Sequence, residues 1–299
     1  MLTKQVANPF NGKISQGILQ NATVTQNQLL RKFPQYGSIS NTGSYSGISN
    51  YHALELKLQK RMANGGQVLG SYSFSKLMTN AEYLTGWLDS TTTAGWQDYN
   101  DPMSNYAQSS FDARQRLVVS YLYPLPIGKG QLLLPHLSGV GNAFLGGWGL
   151  DGITTFQLGY PLGMSVTPNN LSTYAFQGTG RPNVVDSCEK KLGGAIQSRV
   201  NRYFNTDCFK PPANFVYGNE SRTDNKLRTP GAANWDMSLF KNIDIHENTT
   251  LAFRVEAFNM FNRVQFASPN SQVGNPQFGQ IIAQYNNPRI LQLSGRVTF

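Results

Sequence analysis

The feature that most constrains this chain is a period of two. Over 289–299, Leu291, Leu293, Val297 and Phe299 fall on one face of an extended segment, with Gly295 among them. Gln292, Ser294, Arg296 and Thr298 fall on the other. Side chains alternate in this way in a β-strand and not in a helix. In 250–262, Leu251, Phe253, Val255, Ala257 and Phe261 oppose Thr250, Arg254, Glu256 and Asn262. In 234–245, Trp235, Met237, Leu239, Ile243 and Ile245 oppose Asn234, Asp236, Ser238, Asn242 and Asp244. Four earlier stretches alternate less cleanly: 50–62 (Leu54, Leu56, Leu58), 67–79 (Tyr72, Phe74), 111–123 (Leu117, Val119, Tyr121, Tyr123) and 148–160 (Trp148, Leu150, Phe156, Leu158, Tyr160). About seven antiparallel strands are expected, each joined to the next.

Parity sharpens this expectation. Cross-strand partners share a face. In the hairpins around Ala63-Asn64-Gly65-Gly66 and His246-Glu247-Asn248, the apolar residues of both strands have the same parity. Paired residue numbers must therefore sum to an even value, and each hairpin loop must hold an odd number of residues.

The connections alternate in length. Turns 63–66 and 246–249 are tight, and the Gly- and Pro-containing link 124–147 is of middle size. Segments 81–110, 161–233 and 263–287 are long, polar and rich in Asn, Thr, Gly and Pro. Short turns at one end and long loops at the other are the pattern of an outer-membrane barrel. A soluble β-sandwich also alternates. Against it stand the many charges on the polar faces and the aromatics Tyr123, Trp148, Tyr160 and Trp235 at the ends of the apolar ones, where an interfacial girdle belongs. The expected fold class is all-β, an antiparallel up-and-down transmembrane barrel. No apolar run approaches the ~18–20 residues of a membrane helix, which leaves barrel strands untouched.

Composition excludes other classes. Charged residues are 14 % and aromatics 12 % of the chain, which disfavours disorder. The net charge of +9 comes from dispersed basic residues with no stripe of stacking aromatics, so no nucleic-acid partner is expected. A basic exterior suits an anionic lipopolysaccharide surface.

The motifs of enzymes are missing. His52, His136 and His246 lie far apart, none at metal-ligand spacing, and no P-loop or G-x-S-x-G elbow occurs. Gly139-Val140-Gly141 resembles the start of a dinucleotide fingerprint, lacks the third glycine and a following helix, and is expected to be turn material. No catalytic residue, metal site or cofactor is expected. Glu55, Lys57, Arg114, Arg116, Asp236, Arg254, Glu256 and Arg296 are candidate lumen-facing charges, able to line a solute path or to form cross-strand ion pairs. Cys188 and Cys208 share the longest loop and are expected to pair in an oxidising setting, tying down its base.

Several segments, taken in order, resemble the C-terminal barrel of Oar-like TonB-dependent receptors, the Acidobacteria-type group with a carboxypeptidase-regulatory-like N-terminal domain. They are Asn8-Pro9-Phe10, Leu29-Leu30-Arg31-Lys32-Phe33-Pro34-Gln35-Tyr36, Asn50-Tyr51-His52-Ala53-Leu54 and Ser71-Tyr72-Ser73-Phe74-Ser75-Lys76. Further on come 111–121, Gly146-Gly147-Trp148, Tyr203-Phe204-Asn205-Thr206, Asn234-Trp235-Asp236, 253–262 and the terminal Phe299. The resemblance implies an uptake barrel whose plug and TonB-contacting box lie outside these segments, so that TonB would act only through an N-terminal part absent here. The chain is accordingly expected to be a C-terminal portion. Residues 1–49 would be an extracellular loop leading to the first strand, and 50–299 would be barrel strands with extracellular loops 81–110, 161–233 and 263–287. The resemblance further implies outer-membrane lipid as solvent and a C-terminal assembly signal, Leu291, Leu293, Val297 and Phe299, read by the barrel-assembly machinery. The competing function is a surface-exposed β-rich binding or adhesion module without transport.

Overall fold

The computed structural model describes residues 1–37, 39, 46–81, 96–171, 178–246 and 249–299. Parts of the expected loops 81–110 and 161–233, and Glu247-Asn248 of one expected turn, lie outside the described residues. The chain divides into two units, residues 1–47 with 172–177, and 48–171 with 178–299.

The first unit is small. Gln5–Ala7 pairs antiparallel with Thr23–Thr25. The Asn8 amide donates to the Leu19 and Asn21 carbonyls, each at 2.7 Å, and Leu19 and Val24 are buried. The buried Gln28 amide donates to the carbonyls of Pro34 and Tyr36. A stretch expected as an open loop thus satisfies its backbone locally, through side-chain amides that periodicity does not weigh.

The second unit is built on seven long strands: β1 (Ser49–Arg61), β2 (Gln67–Thr79), β3 (Gln115–Pro124), β4 (Trp148–Gln157), β5 (Ala232–His246), β6 (Thr249–Phe258) and β7 (Ile290–Thr298). They form one antiparallel sheet in chain order, β1 to β7, and a two-residue strand, Ala107–Gln108, adds to the end of β2. Lengths of 9 to 15 residues suit a tilted bilayer crossing, which takes ~9–11. The all-β, next-neighbour reading holds. The register satisfies the parity rule: Ser49 to Arg61 pair with Thr79 to Gln67, and Met237 to Asp244 pair with Ala257 to Thr250. A bulge then shifts the second hairpin, so that His246 pairs with Thr249. In the first, Gly65 takes the φ of +84° that the turn demands and a side chain would resist.

The strand ends depart from the sequence reading for identifiable reasons. β3 begins at Gln115 rather than 111 because Asp112 is drawn into a buried polar cluster described below. β4 stops at Gln157 because Gly159 passes so close to the Thr229 carbonyl that a Cβ would lie 1.7 Å from it. β6 ends at Phe258 because Asn259 turns to a left-handed φ of 51° and its amide holds the carbonyls of Arg263 and Asn287. The link after β3 corrects a further expectation: Gly139–Leu145 is a short helix, not a turn.

The long loops differ most from expectation. They are not structureless. Their described residues fold into a cap at the long-loop end of the sheet, with its own core of Leu162, Met164, Phe204, Cys208, Phe209, Leu227 and Val273. Phe204, Phe209 and Phe278 meet edge to face, with centroids 5.3–6.2 Å apart. Two further short pairings, Asn183–Val184 with Phe209–Lys210 and Ser165–Val166 with Gln272–Val273, stitch loop to loop.

Candidate functional site

The register assigns every wall residue to a face. One face carries Leu56, Tyr72, Leu117 and Phe156 in a cross-strand row, and Tyr123, Leu150, Leu239, Val255 and Leu293 in another. These rows run on without a break from strand to strand. Their side chains are open to the surroundings: Leu58 is 75 % and Leu293 77 % exposed. An apolar surface of this extent would aggregate in water and is matched by lipid. At the cap end of this face Trp235 meets Phe156 and Phe261 edge to face at 5.1 and 5.3 Å. At the short-turn end lie Tyr123 and Trp148. Tyr160, expected on this face, lies past the end of β4, where its backbone pairs with Thr229 in the junction with the cap.

The opposite face is polar and holds the densest charge on β4, β5 and β6. The Arg254 guanidinium bridges Asp151 at 2.9 Å, with Glu256 at 3.6 Å. The Ser238 hydroxyl donates to Asp151 at 2.5 Å. Arg254 also lies over the Phe240 ring, which fills the space above Gly149. Near the cap, Asp236 accepts from the Asn234 amide and from the Asn259 backbone, both at 2.8 Å. Arg254 and Glu256 thus come together with Asp151 in one polar patch, and Asp236 lies on the same face nearer the cap, held by the hydrogen bonds from Asn234 and Asn259. Glu55 and Lys57 lie on β1, Arg116 at the start of β3 and Arg296 on β7, all exposed and all on the polar face by register. Arg114 does not join them. It precedes β3 and its guanidinium stacks 5.2 Å from the Phe74 ring, on the apolar face.

The cap is fastened to the wall by buried ions that the sequence did not single out. The Asp112 carboxylate, wholly buried, accepts from the Leu77 backbone, the Gln108 amide and the Arg228 guanidinium at 2.6–2.8 Å. Arg228 also donates to the Asp112 and Gly159 carbonyls, so the Asp112–Arg228 pair ties the ends of β2, β3 and β4 together. Arg222, 1 % exposed, donates to the carbonyls of Thr79 and Asn105. Lys190 bridges Glu220 at 3.0 Å and Asp224 at 2.5 Å. Burial works against the Lys190 charge, yet the two carboxylates hold its pKa above the ordinary lysine value. Burial and the nearby Arg222 charge lower Arg181 to about 10. Nothing periodic marks these residues; their partners lie up to 143 positions away.

Cys188 and Cys208 are bonded, with Cα atoms 5.5 Å apart, and Cys208 lies inside the cap core rather than at the base of its loop. The C-terminal residues Leu291, Leu293, Val297 and Phe299 lie on or just beyond the edge strand β7, with Phe299 96 % exposed. Among the described residues, no three His, Cys, Asp or Glu are placed to hold a metal ion, and no helix is long and apolar enough to cross a membrane.

The family model for an outer membrane beta barrel domain matches residues 3–292. The chain belongs to that family. No curated protein and no solved structure matches it. As an outer-membrane barrel domain it resides in the bacterial outer membrane, so the exposed apolar face of β1 to β7 is the lipid-facing surface and the charged face is the inner one. The Arg254–Asp151–Glu256 patch therefore lines the inside of the wall.

Proposed function

We propose that this chain forms wall and outer cap of a TonB-dependent uptake receptor, conducting a solute such as an oligosaccharide or a metal chelate and catalysing no reaction. The observation that carries the reading is the pairing of a charged inner face with a cap fastened to the same strands by buried ions. A passive surface module needs no polar inner face. A wall that lets a solute pass does, and the Ser238, Asp151 and Arg254 groups offer donors and acceptors along it. Its partners are outer-membrane lipid and lipopolysaccharide outside, the assembly machinery at β7, and TonB through a plug supplied elsewhere in the receptor.

Cells producing the whole protein, and a deletion strain, would be given radiolabelled ferric chelates and malto-oligosaccharides with and without a protonophore. Uptake that needs the gene and collapses with the protonophore is expected. Gene-dependent surface binding without internalisation of any probe would replace this reading with an adhesion module.

A further inference from the structure

The lipid-facing wall does not stop where the strands do. The link between β3 and β4 displays Leu132 at 83 % exposure, Val140 at 73 % and Phe144 at 71 %, and Leu133, Leu134 and Leu145 are each half exposed or more. Six large apolar side chains on about twenty residues are far more than a wetted turn needs.

They are held on a built scaffold. The Gly128 backbone donates to the Leu133 carbonyl at 3.0 Å and Leu133 donates to Pro126 at 2.8 Å. The Asn142 side chain accepts from the Lys129 backbone at 2.7 Å, which ties the helix Gly139–Leu145 to the strand exit. Gly128 and Gly146 approach so closely that a Cβ on Gly128 would lie 2.8 Å from the Gly146 Cα. A link packed in this way presents its leucines and phenylalanine in fixed directions.

The scaffold is fastened to the apolar face of the wall. Trp148 and Lys241 are cross-strand partners on that face. The Trp148 indole donates to the Phe144 carbonyl at 2.9 Å. The Lys241 ammonium donates to the Gly146 carbonyl and sits 5.1 Å from the Trp148 ring. The ammonium of a lysine in an otherwise apolar stripe is thereby held in place by a carbonyl and an aromatic face. Both bonds reach the C-terminal end of the helix, so its apolar side chains continue the lipid-facing surface.

We propose that residues 125–147 are a foot that embeds in the membrane interface at the short-turn end of the wall, with Leu132 to Leu134, Val140 and Phe144 among the acyl chains and Lys129 and Lys241 at headgroup level. The occupant is lipid because the patch runs on from a lipid-facing surface through Trp148. A tryptophan beside lysines is what a membrane–water boundary selects. The foot would fix the height and tilt of β3 to β5 by wedging beside them.

Site-directed spin labelling tests this in outer membranes of cells producing the whole protein, since the native cysteines are bonded to each other. Labels at Phe144→Cys and Leu133→Cys are compared with Leu293→Cys as the lipid reference and Lys226→Cys as the water reference. Collision rates are read with oxygen, which partitions into lipid, and with a water-soluble nickel chelate. Both foot labels should favour oxygen, as Leu293→Cys does. Labels that favour nickel, as Lys226→Cys does, would overturn the proposal. So would labels shielded from both reagents, because a protein partner would then cover the patch. Val140→Cys serves as a second helix position should Phe144→Cys assemble poorly, judged by mobility in cold detergent.

Discussion

The wall and the cap are held together by opposite means. In the wall the apolar side chains point outward, the inner face is charged, and order comes from the backbone ladder and register. Leu239 is 39 % exposed while its neighbour Ser238 is 4 % exposed, the reverse of a water-soluble sheet. In the cap, Phe204, Phe209 and Leu227 are buried around a disulfide, as in a small secreted domain. The wall therefore depends on its lipid solvent, whereas the cap carries its own core and needs only to be tied down. Two chemistries on one chain should fail separately, and each experiment below looks for the point at which they do not.

The largest effect is expected at Asp112. Its carboxylate is wholly buried and answers three donors, one of them Arg228, so Asp112→Ala leaves an unpaired buried cation and an orphaned Leu77 amide. Breaking such a pair costs about 3–5 kcal/mol. Protease added to intact cells should then cut within 178–231 much faster than in the parent, while the wall keeps its compact mobility in cold detergent. Asp112→Asn, which keeps an acceptor for Leu77, should be milder. Loss of the compact form in step with loop cleavage would show that wall and cap are one cooperative unit.

Reducing the Cys188–Cys208 bond comes next. In the loop-entropy account a closure of this size contributes about 3 kcal/mol. Reduction should loosen the cap core around Phe204 and Phe209 and leave β1 to β7 assembled. The readout is hydrogen exchange of Val185 and Cys208 amides against those of Leu239 and Val255. Exchange rising equally in both sets would erase the distinction.

These two regions were unequally legible in sequence. The wall could be read because a strand repeats every two residues: Leu239 beside Ser238, or Val255 beside Arg254, reports a face without any knowledge of the fold. The parity of the hairpins followed from the same rule. The cap had no such signal. Its core draws Leu162, Phe204, Leu227 and Val273 from points spread over more than a hundred residues, and Arg222 finds Thr79 across 143. Contacts of that separation leave no local pattern, so an ordered cap reads as loops. The Gly139–Leu145 helix was hidden by its length and by two glycines in its first turn. Lys241 was hidden by being the one charged residue in an apolar stripe. The cysteines alone pointed into the cap, because their chemistry is specific whatever the distance.

On the wall, Val297 and Arg296 offer a smaller test. Val297 pairs with Leu251 on the lipid face, and Arg296 with Ala252 on the inner one. Charge on the lipid face costs ~0–4 kcal/mol by depth, and Val297, near the short-turn rim, belongs toward the low end. Val297→Arg should lower the yield of assembled barrel, Arg296→Leu should lower it less, and cap proteolysis should change in neither. If Phe299 completes an assembly signal, its deletion should reduce yield more than Thr298→Ala. Equal yields for all four variants would remove any special role for this strand.

The smallest effect is in alkaline pH, and it falls on the cap. Burial raises the pKa of Tyr203, opposed in part by Arg199, and its hydroxyl donates to the Arg228 carbonyl at 2.9 Å. Lys190 is raised as well. A group whose pKa is higher folded than unfolded binds more protons in the folded state, so its stabilisation is whole below the ordinary pKa and is lost as pH rises through the folded value. For Tyr203 the loss begins near its ordinary value of 10.0, and for Lys190 near 10.5. Arg181, lowered to about 10, acts in the other sense: between that value and its higher ordinary one the unfolded chain holds more protons, and rising pH favours the fold. The net slope is thus a difference of opposed contributions. Tyr203→Phe removes one of them, at the cost of a hydrogen bond worth ~1 kcal/mol at all pH values. Above about pH 10, cap protection measured by proteolysis should respond more favourably to rising pH in Tyr203→Phe than in the parent, while the cold-detergent mobility of the wall stays level across the range. Identical slopes in the two proteins would show that the Tyr203 hydroxyl does not carry this part of the alkaline response.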